Sequence, residues 1–198
     1  MSERMKIVEF IKRAPKAELH LHIEGTLEPD HLFELAKKNN IKIPFANINE
    51  VKSAYSFSNL ESFLKIFYQG SRVLIKEQDF FDLTWAYALK CRENNVVHTE
   101  IFFDPQIHVN RGIDFDTVIN GIYKALQKAN KEFDLTSKII MCFLRHLDEA
   151  SGFKMLDQAL LHKDKIVGVG IDSSELGNPP RKFEKLFKKA TEKGFLTV

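Results

Sequence analysis

The sequence predicts an α/β fold, a TIM-type (β/α)₈ barrel of which the chain forms an incomplete N-terminal portion with about five strands. Three observations carry this. From Val96 onward, apolar strand-like runs alternate with helical patterns, the rhythm of a parallel sheet with helices outside it. The strand runs are nearly continuously apolar, as strands buried on both faces are. A closed barrel takes about 250 residues, and 198 residues supply five strands at most. A doubly wound open sheet is the alternative, but no glycine-rich phosphate turn follows the first strand.

The elements follow in order. Met5 to Ile11 has a short amphipathic pattern. Ala17 to Ile23 alternates Leu19, Leu21 and Ile23 with His20 and His22, which is strand period. Pro29 to Lys38 reads as a helix with Leu32, Phe33, Leu35 and Ala36 on one face. Asn59 can cap a helix running to about Ile75, and Gln78 to Arg92 repeats the helical period. Then come strand Val96 to Phe103, helix Phe115 to Phe133, strand Lys138 to Leu144, helix Ala150 to Leu161, strand Ile166 to Ile171, helix Phe183 to Thr191 and strand Phe195 to Val198. That last strand has no polar tail, so the chain is expected to stop before its barrel closes. Nothing marks a second domain, and residues 1–198 are read as one.

Composition excludes several functions. Lys plus Arg number 29 and Asp plus Glu 27, for a formal charge of +2, so no nucleic-acid or anionic-membrane partner is expected. Basic runs such as Lys185 to Lys189 sit among apolar residues at helical spacing and read as a solvated helix face. Cys91 and Cys142 lack zinc-ribbon or disulfide spacing and are expected as buried free thiols. Met1 to Arg13 is neither a signal peptide nor a membrane anchor, and a cytoplasmic location is expected. Oligomeric state is not legible.

His20 and His22, two apart on a strand, point the same way. Imidazoles side by side at the end of a barrel strand can share one divalent ion; a pair of hydrogen-bonded core histidines is the plain alternative.

The whole segment from Pro15 to Pro29, containing Glu18-Leu19-His20-Leu21-His22-Ile23-Glu24-Gly25-Thr26-Leu27-Glu28, is more specific. It resembles the opening of the adenosine and adenine deaminases of the amidohydrolase superfamily. The resemblance continues through Asn59 to Phe67, Asp79 to Tyr87, Thr99 to Gln106 and Gly170 to Pro180, and leans toward the adenine branch. It implies Zn²⁺-dependent hydrolytic deamination of adenine, a small-molecule purine substrate, to hypoxanthine and ammonia. His20 and His22 match the family's first two zinc ligands. The third histidine ligand and the proton-donating glutamate belong to a His-Ala-Gly-Glu segment expected after Val198, so no catalytic residue is assigned here and this chain alone is expected to be inactive. Glu24 stands where the adenosine branch has an aspartate that contacts ribose, and its longer side chain should favour a free base. Leu60, Phe63, Leu64 and Phe67 form one face of a helix, which by resemblance is the apolar gate over the pocket; Phe63, Leu64 and Phe67 are assigned to substrate. Glu175 falls where the adenosine branch offers a glycine N–H to the purine, and it is kept with Asp172 and Ser173 as a pocket residue. Glu100, Asp104 and Gln106 end the second strand, although Asp104-Pro105 also suits a turn. His98, His108 and His146 read as ordinary hydrogen-bonded histidines. An adenosine deaminase, a metal-dependent phosphoesterase and a non-catalytic relative are the competing readings.

Overall fold

The computed structural model describes residues 3–198. Helix α1 (Glu3–Arg13) leads to β1 (Lys16–His22) and a 3₁₀ turn (Ile23–Thr26). Four helices follow, α2 (Pro29–Lys38), α3 (Ile48–Ala54), α4 (Leu60–Ser71) and α5 (Glu77–Glu93). Then come β2 (Val96–Phe103), α6 (Pro105–Val109), α7 (Phe115–Phe133), β3 (Thr136–Leu144), α8 (Glu149–Leu160), β4 (Ile166–Asp172), a second 3₁₀ turn (Pro180–Phe183), α9 (Glu184–Glu192) and β5 (Leu196–Thr197). The strands form one parallel sheet in the order β1-β2-β3-β4-β5.

Most differences from the sequence reading lie at helix ends. α4 stops at Ser71 rather than near Ile75, and Arg72 to Leu74 continue only as i→i+3 turns. The short helices α3 and α6 carry too few residues for a periodic signal; α6 starts because Pro105, at its first position, is already set for helical φ. Pro180 to Phe183 form the 3₁₀ turn, which delays α9 to Glu184. β5 has two ladder residues instead of four.

The sheet has two unlike faces. On the helix side, Ile101, Phe103, Ile139, Met141, Phe143 and Val169 join the helices in one large core. Phe103 and Phe143 are fully buried there, each contributing about 1.5–3 kcal/mol by leaving water. On the other face Phe102, Ile140 and Cys142 make a small second cluster.

β1 serves both faces by means of a bulge. Glu18 pairs with Thr99 and Leu21 with Ile101, three residues against two. Strict alternation would put Glu18 on the face of His20 and His22. Instead Glu18 accepts a 2.7 Å hydrogen bond from Tyr87 of α5, on the helix side, while both histidine rings stack on Phe102 of the inner face, at centroid distances of 4.5 and 5.2 Å. The extra residue reverses the phase of the strand just before the histidines.

Candidate active site

A cleft of about 480 Å³ opens at the C-terminal ends of the strands. Its floor is polar, formed by His20, His22, Asp104, Asp172 and Ser173, and its roof is Leu60, Phe63, Leu64 and Phe67 of α4. α4 begins where Asn59 caps it: the Asn59 side chain accepts from Ser62 N–H, and Ser62 Oγ accepts from Asn59 N–H. Its apolar stripe is not core. None of its four roof residues is buried, and Leu60 is 49% exposed. Phe63 and Phe67 lie 5.8 Å apart, tilted, and Phe67 packs over Gly25, where a Cβ would sit 3.7 Å from its ring.

The two histidine rings are 5.6 Å apart. His22 Nδ1 faces two carboxylates, Asp172 Oδ2 at 3.3 Å and Asp104 Oδ1 at 3.6 Å. Ligand atoms of His22, Asp104, Cys142 and Asp172 all lie within 4.8 Å of one another. Burial, reinforced by Asp104, pushes the Asp172 carboxyl up to about 10. Asp104 rises well above the carboxylate range through burial and the charge of Glu24. Burial also lifts the Cys142 thiol, which makes it a protonated neighbour rather than a ready ligand. Oδ1 of Asp104 and Oδ1 of Asp172 are buried without a hydrogen-bond partner among the described residues. Two neighbouring imidazoles, their planes tilted by 37°, beside two carboxylates with unused oxygens make a donor set that fits a divalent cation.

Of the sequence-assigned residues, Phe63, Leu64 and Phe67 line the same cleft as His20 and His22, while Glu24, Glu100, Gln106 and Glu175 fall outside the cleft. Glu24 is buried one layer behind it, its Oε1 accepting from Asp104 N–H at 3.0 Å and paired with His108 Nε2 at 3.1 Å. Burial alone would raise Glu24, but His108 and the Asp104 N–H outweigh it and hold the carboxyl below its ordinary value. Glu175 is not brought into the cleft: its side chain is 73% exposed and pairs with Arg145 Nη1 at 3.2 Å. Two positions earlier, Ser173 has a positive φ of 78°. Glu100 faces His98 at 3.6 Å, away from the cleft, and Gln106 is spent on Ser151 Oγ and Leu144 N–H. Both cysteines are buried free thiols.

Tyr68 was not singled out in the sequence. Its hydroxyl lies 2.6 Å from Ser173 Oγ, which is 2.8 Å from His146 Nδ1, so the roof helix is tied to the end of β4. Tyr68 is i+4 from Leu64 and so continues the stripe at its edge, and that spacing was the available signal.

A parallel β/α sheet whose polar cleft lies at the C-terminal strand ends defines the class, a barrel protein of enzyme type. The chain belongs to the adenosine deaminase family, whose pattern it matches over residues 15–198. It is 60% identical over 192 residues to the adenine deaminase of Psychrobacter cryohalolentis, covering 97% of this chain and 58% of that one. The crystal structure of an adenine deaminase from Arthrobacter aurescens superposes with a TM-score of 0.89 at 44% identity, over 92% of this chain and 56% of that chain. An amidohydrolase from Burkholderia ambifaria, solved with bound Zn, shares the fold at 24% identity and a TM-score of 0.86, over 100% of this chain and 54% of its own. The chain thus spans just over half the length of these relatives. Among the described residues no helix is long and apolar enough to cross a membrane.

Proposed function

We propose that the protein carrying this chain is a zinc-dependent adenine deaminase of purine salvage in the cytoplasm, converting adenine and water to hypoxanthine and ammonia. The observation that carries this reading is the cleft itself, in which an aromatic roof suited to a planar base stands over a floor of paired imidazoles and carboxylates. Relatives at 60% and 57% identity bearing the name adenine deaminase support it.

His20 and His22 would hold the ion, with Asp172 and Asp104, 3.3 and 3.6 Å from His22 Nδ1, as its carboxylate partners. When bound, zinc supplies Lewis-acid polarisation and a nucleophilic water at neutral pH. Phe63, Leu64 and Phe67 exclude bulk water and lie against the ring. Burial keeps the Asp172 carboxyl protonated beside His22. By the family resemblance, a third histidine ligand and a proton-donating glutamate complete the site in the intact protein.

Adenosine deamination is the second reading, and Glu24, which reaches the cleft through the Asp104 N–H it accepts from, separates the two. Ammonia release by the intact protein from adenine and from adenosine tests the proposal. A higher kcat/KM for adenine is expected, and Glu24→Asp should narrow the gap; a higher value for adenosine overturns the assignment. Metal analysis after replacing His20 and His22 with Ala should show the ion lost.

A further inference from the structure

Behind the cleft a second polar group is sealed from solvent. His108 of α6 is fully buried, and each ring nitrogen has one partner among the described residues. Arg111 Nη2 donates to Nδ1 at 2.9 Å, and Nε2 lies 3.1 Å from Glu24 Oε1. A guanidinium only donates, so Nδ1 is the acceptor and the ring proton is on Nε2, directed at Glu24. Phe80 holds the ring edge-on at 4.7 Å. The same Arg111 donates to the carbonyls of Ser71, Arg72 and Leu74 at 3.2, 2.9 and 3.1 Å, at and just beyond the C-terminal end of α4. One guanidinium therefore joins the end of the roof helix to the imidazole that fixes the carboxylate behind the floor. Glu24 Oε2 keeps no partner among the described residues, so its placement depends on what holds Oε1.

We propose that His108 is a positioning residue: it fixes the Glu24 carboxylate in one orientation behind the cleft floor, against the Asp104 N–H, and, through Arg111, couples that orientation to the seating of α4. Its functional side rests on the deaminase reading above, in which Glu24 discriminates free base from nucleoside. Leu at position 108 removes the donor to Glu24 and the acceptor for Arg111 together. Gln keeps both, since its amide nitrogen donates and its oxygen accepts.

The test uses the intact protein. His108→Leu should lower the ratio of kcat/KM for adenine over adenosine by about 10- to 100-fold, the value of a hydrogen bond to a charged group, chiefly through KM for adenine. His108→Gln should recover most of the ratio. Loss of packing alone would lower turnover on both substrates and leave the ratio unchanged, which overturns the proposal. Two readouts need no turnover. Ring ¹⁵N shifts of His108 in the wild type should report the Nε2–H tautomer, and Arg111→Met should speed amide exchange across 60–74. An Nδ1–H ring or unaltered exchange overturns the link. A wild type inactive on both substrates, with these two results as expected, overturns the deaminase reading and leaves the positional link standing.

Discussion

Nδ1 of His22 stands 3.3 Å from Oδ2 of Asp172, although β2 and β3 lie between their strands. In a flat sheet three strand spacings of about 4.8 Å would separate them by roughly 14 Å. The contact therefore requires the sheet to curl toward its inner face, as barrel staves do, and curvature is what converts four strand ends into one site.

The curl also sets a pH dependence. With Asp172 held up to about 10 by burial and by Asp104, the folded metal-free protein favours the protonated carboxyl. Its cost is absent below the ordinary Asp range and grows as pH rises toward 10. A divalent cation must displace that proton. At pH 8, calorimetry in two buffers should detect proton release on zinc binding. Asp172→Asn should abolish the release and stabilise the metal-free protein; an unchanged proton count contradicts this.

Ser173 takes a left-handed φ of 78° and bridges Tyr68 to His146. Burial pushes the Tyr68 phenol up to about 12, so it stays a neutral hydroxyl at physiological pH. Ser173→Ala should cost about 1–2 kcal/mol by losing the shared hydroxyl. Ser173→Gly should cost less, because glycine relieves about 1–2 kcal/mol of left-handed strain. Urea unfolding decides: a Gly variant weaker than the Ala variant would show that strain is not stored here.

Asp79 at the start of α5 gathers Lys38 Nζ at 2.9 Å, Asn39 Nδ2 at 2.7 Å and the N–H groups of Ile75 and Lys76 at 3.1 and 2.9 Å. Burial would raise its pKa, but these donors outweigh that and lower it. A depressed carboxylate stabilises the fold above its unfolded pKa, and that contribution is lost as pH falls through the folded value. Asp79→Asn should therefore cost about 1.5–3 kcal/mol at pH 7. The gap to wild type should shrink in acid, and a gap constant down to pH 2.5 refutes the ionic origin.

Gly121 lets α7 press on α5: a Cβ there would lie 2.4 Å from Glu77 O and 2.7 Å from Phe80 Cβ. Helix propensity favours Ala by about 1 kcal/mol, but overpacking against backbone costs about 1–3 kcal/mol or more. Gly121→Ala should be net destabilising by thermal unfolding. A raised Tm would mean that the two helices can part freely.

Strongly periodic segments were legible in the sequence. Phe115 to Phe133 matches α7 residue for residue, and Val96 to Phe103 matches β2, because alternation and helical period are local properties. The cleft was legible where one element carries it, as with His20, His22 and the stripe Phe63, Leu64 and Phe67. What escaped are the partners distant in sequence. Tyr68 and Ser173 are 105 positions apart, and Glu24 and His108 are 84 apart, and no local pattern announces such pairs. Glu175 turns outward to Arg145, another partner that no local pattern announces.

The bulge in β1 bears on how such a strand tolerates length changes. The segment up to Glu18 is anchored by Tyr87 and Thr99, while the segment from His20 is anchored by Phe102. Between them sits Leu19, 57% exposed. Deleting Leu19 would restore regular alternation, with Glu18 still outward and both histidines still inward. A one-residue slip upstream of the histidines is thus absorbed, whereas the same slip between His20 and His22 would turn one imidazole into the helix layer.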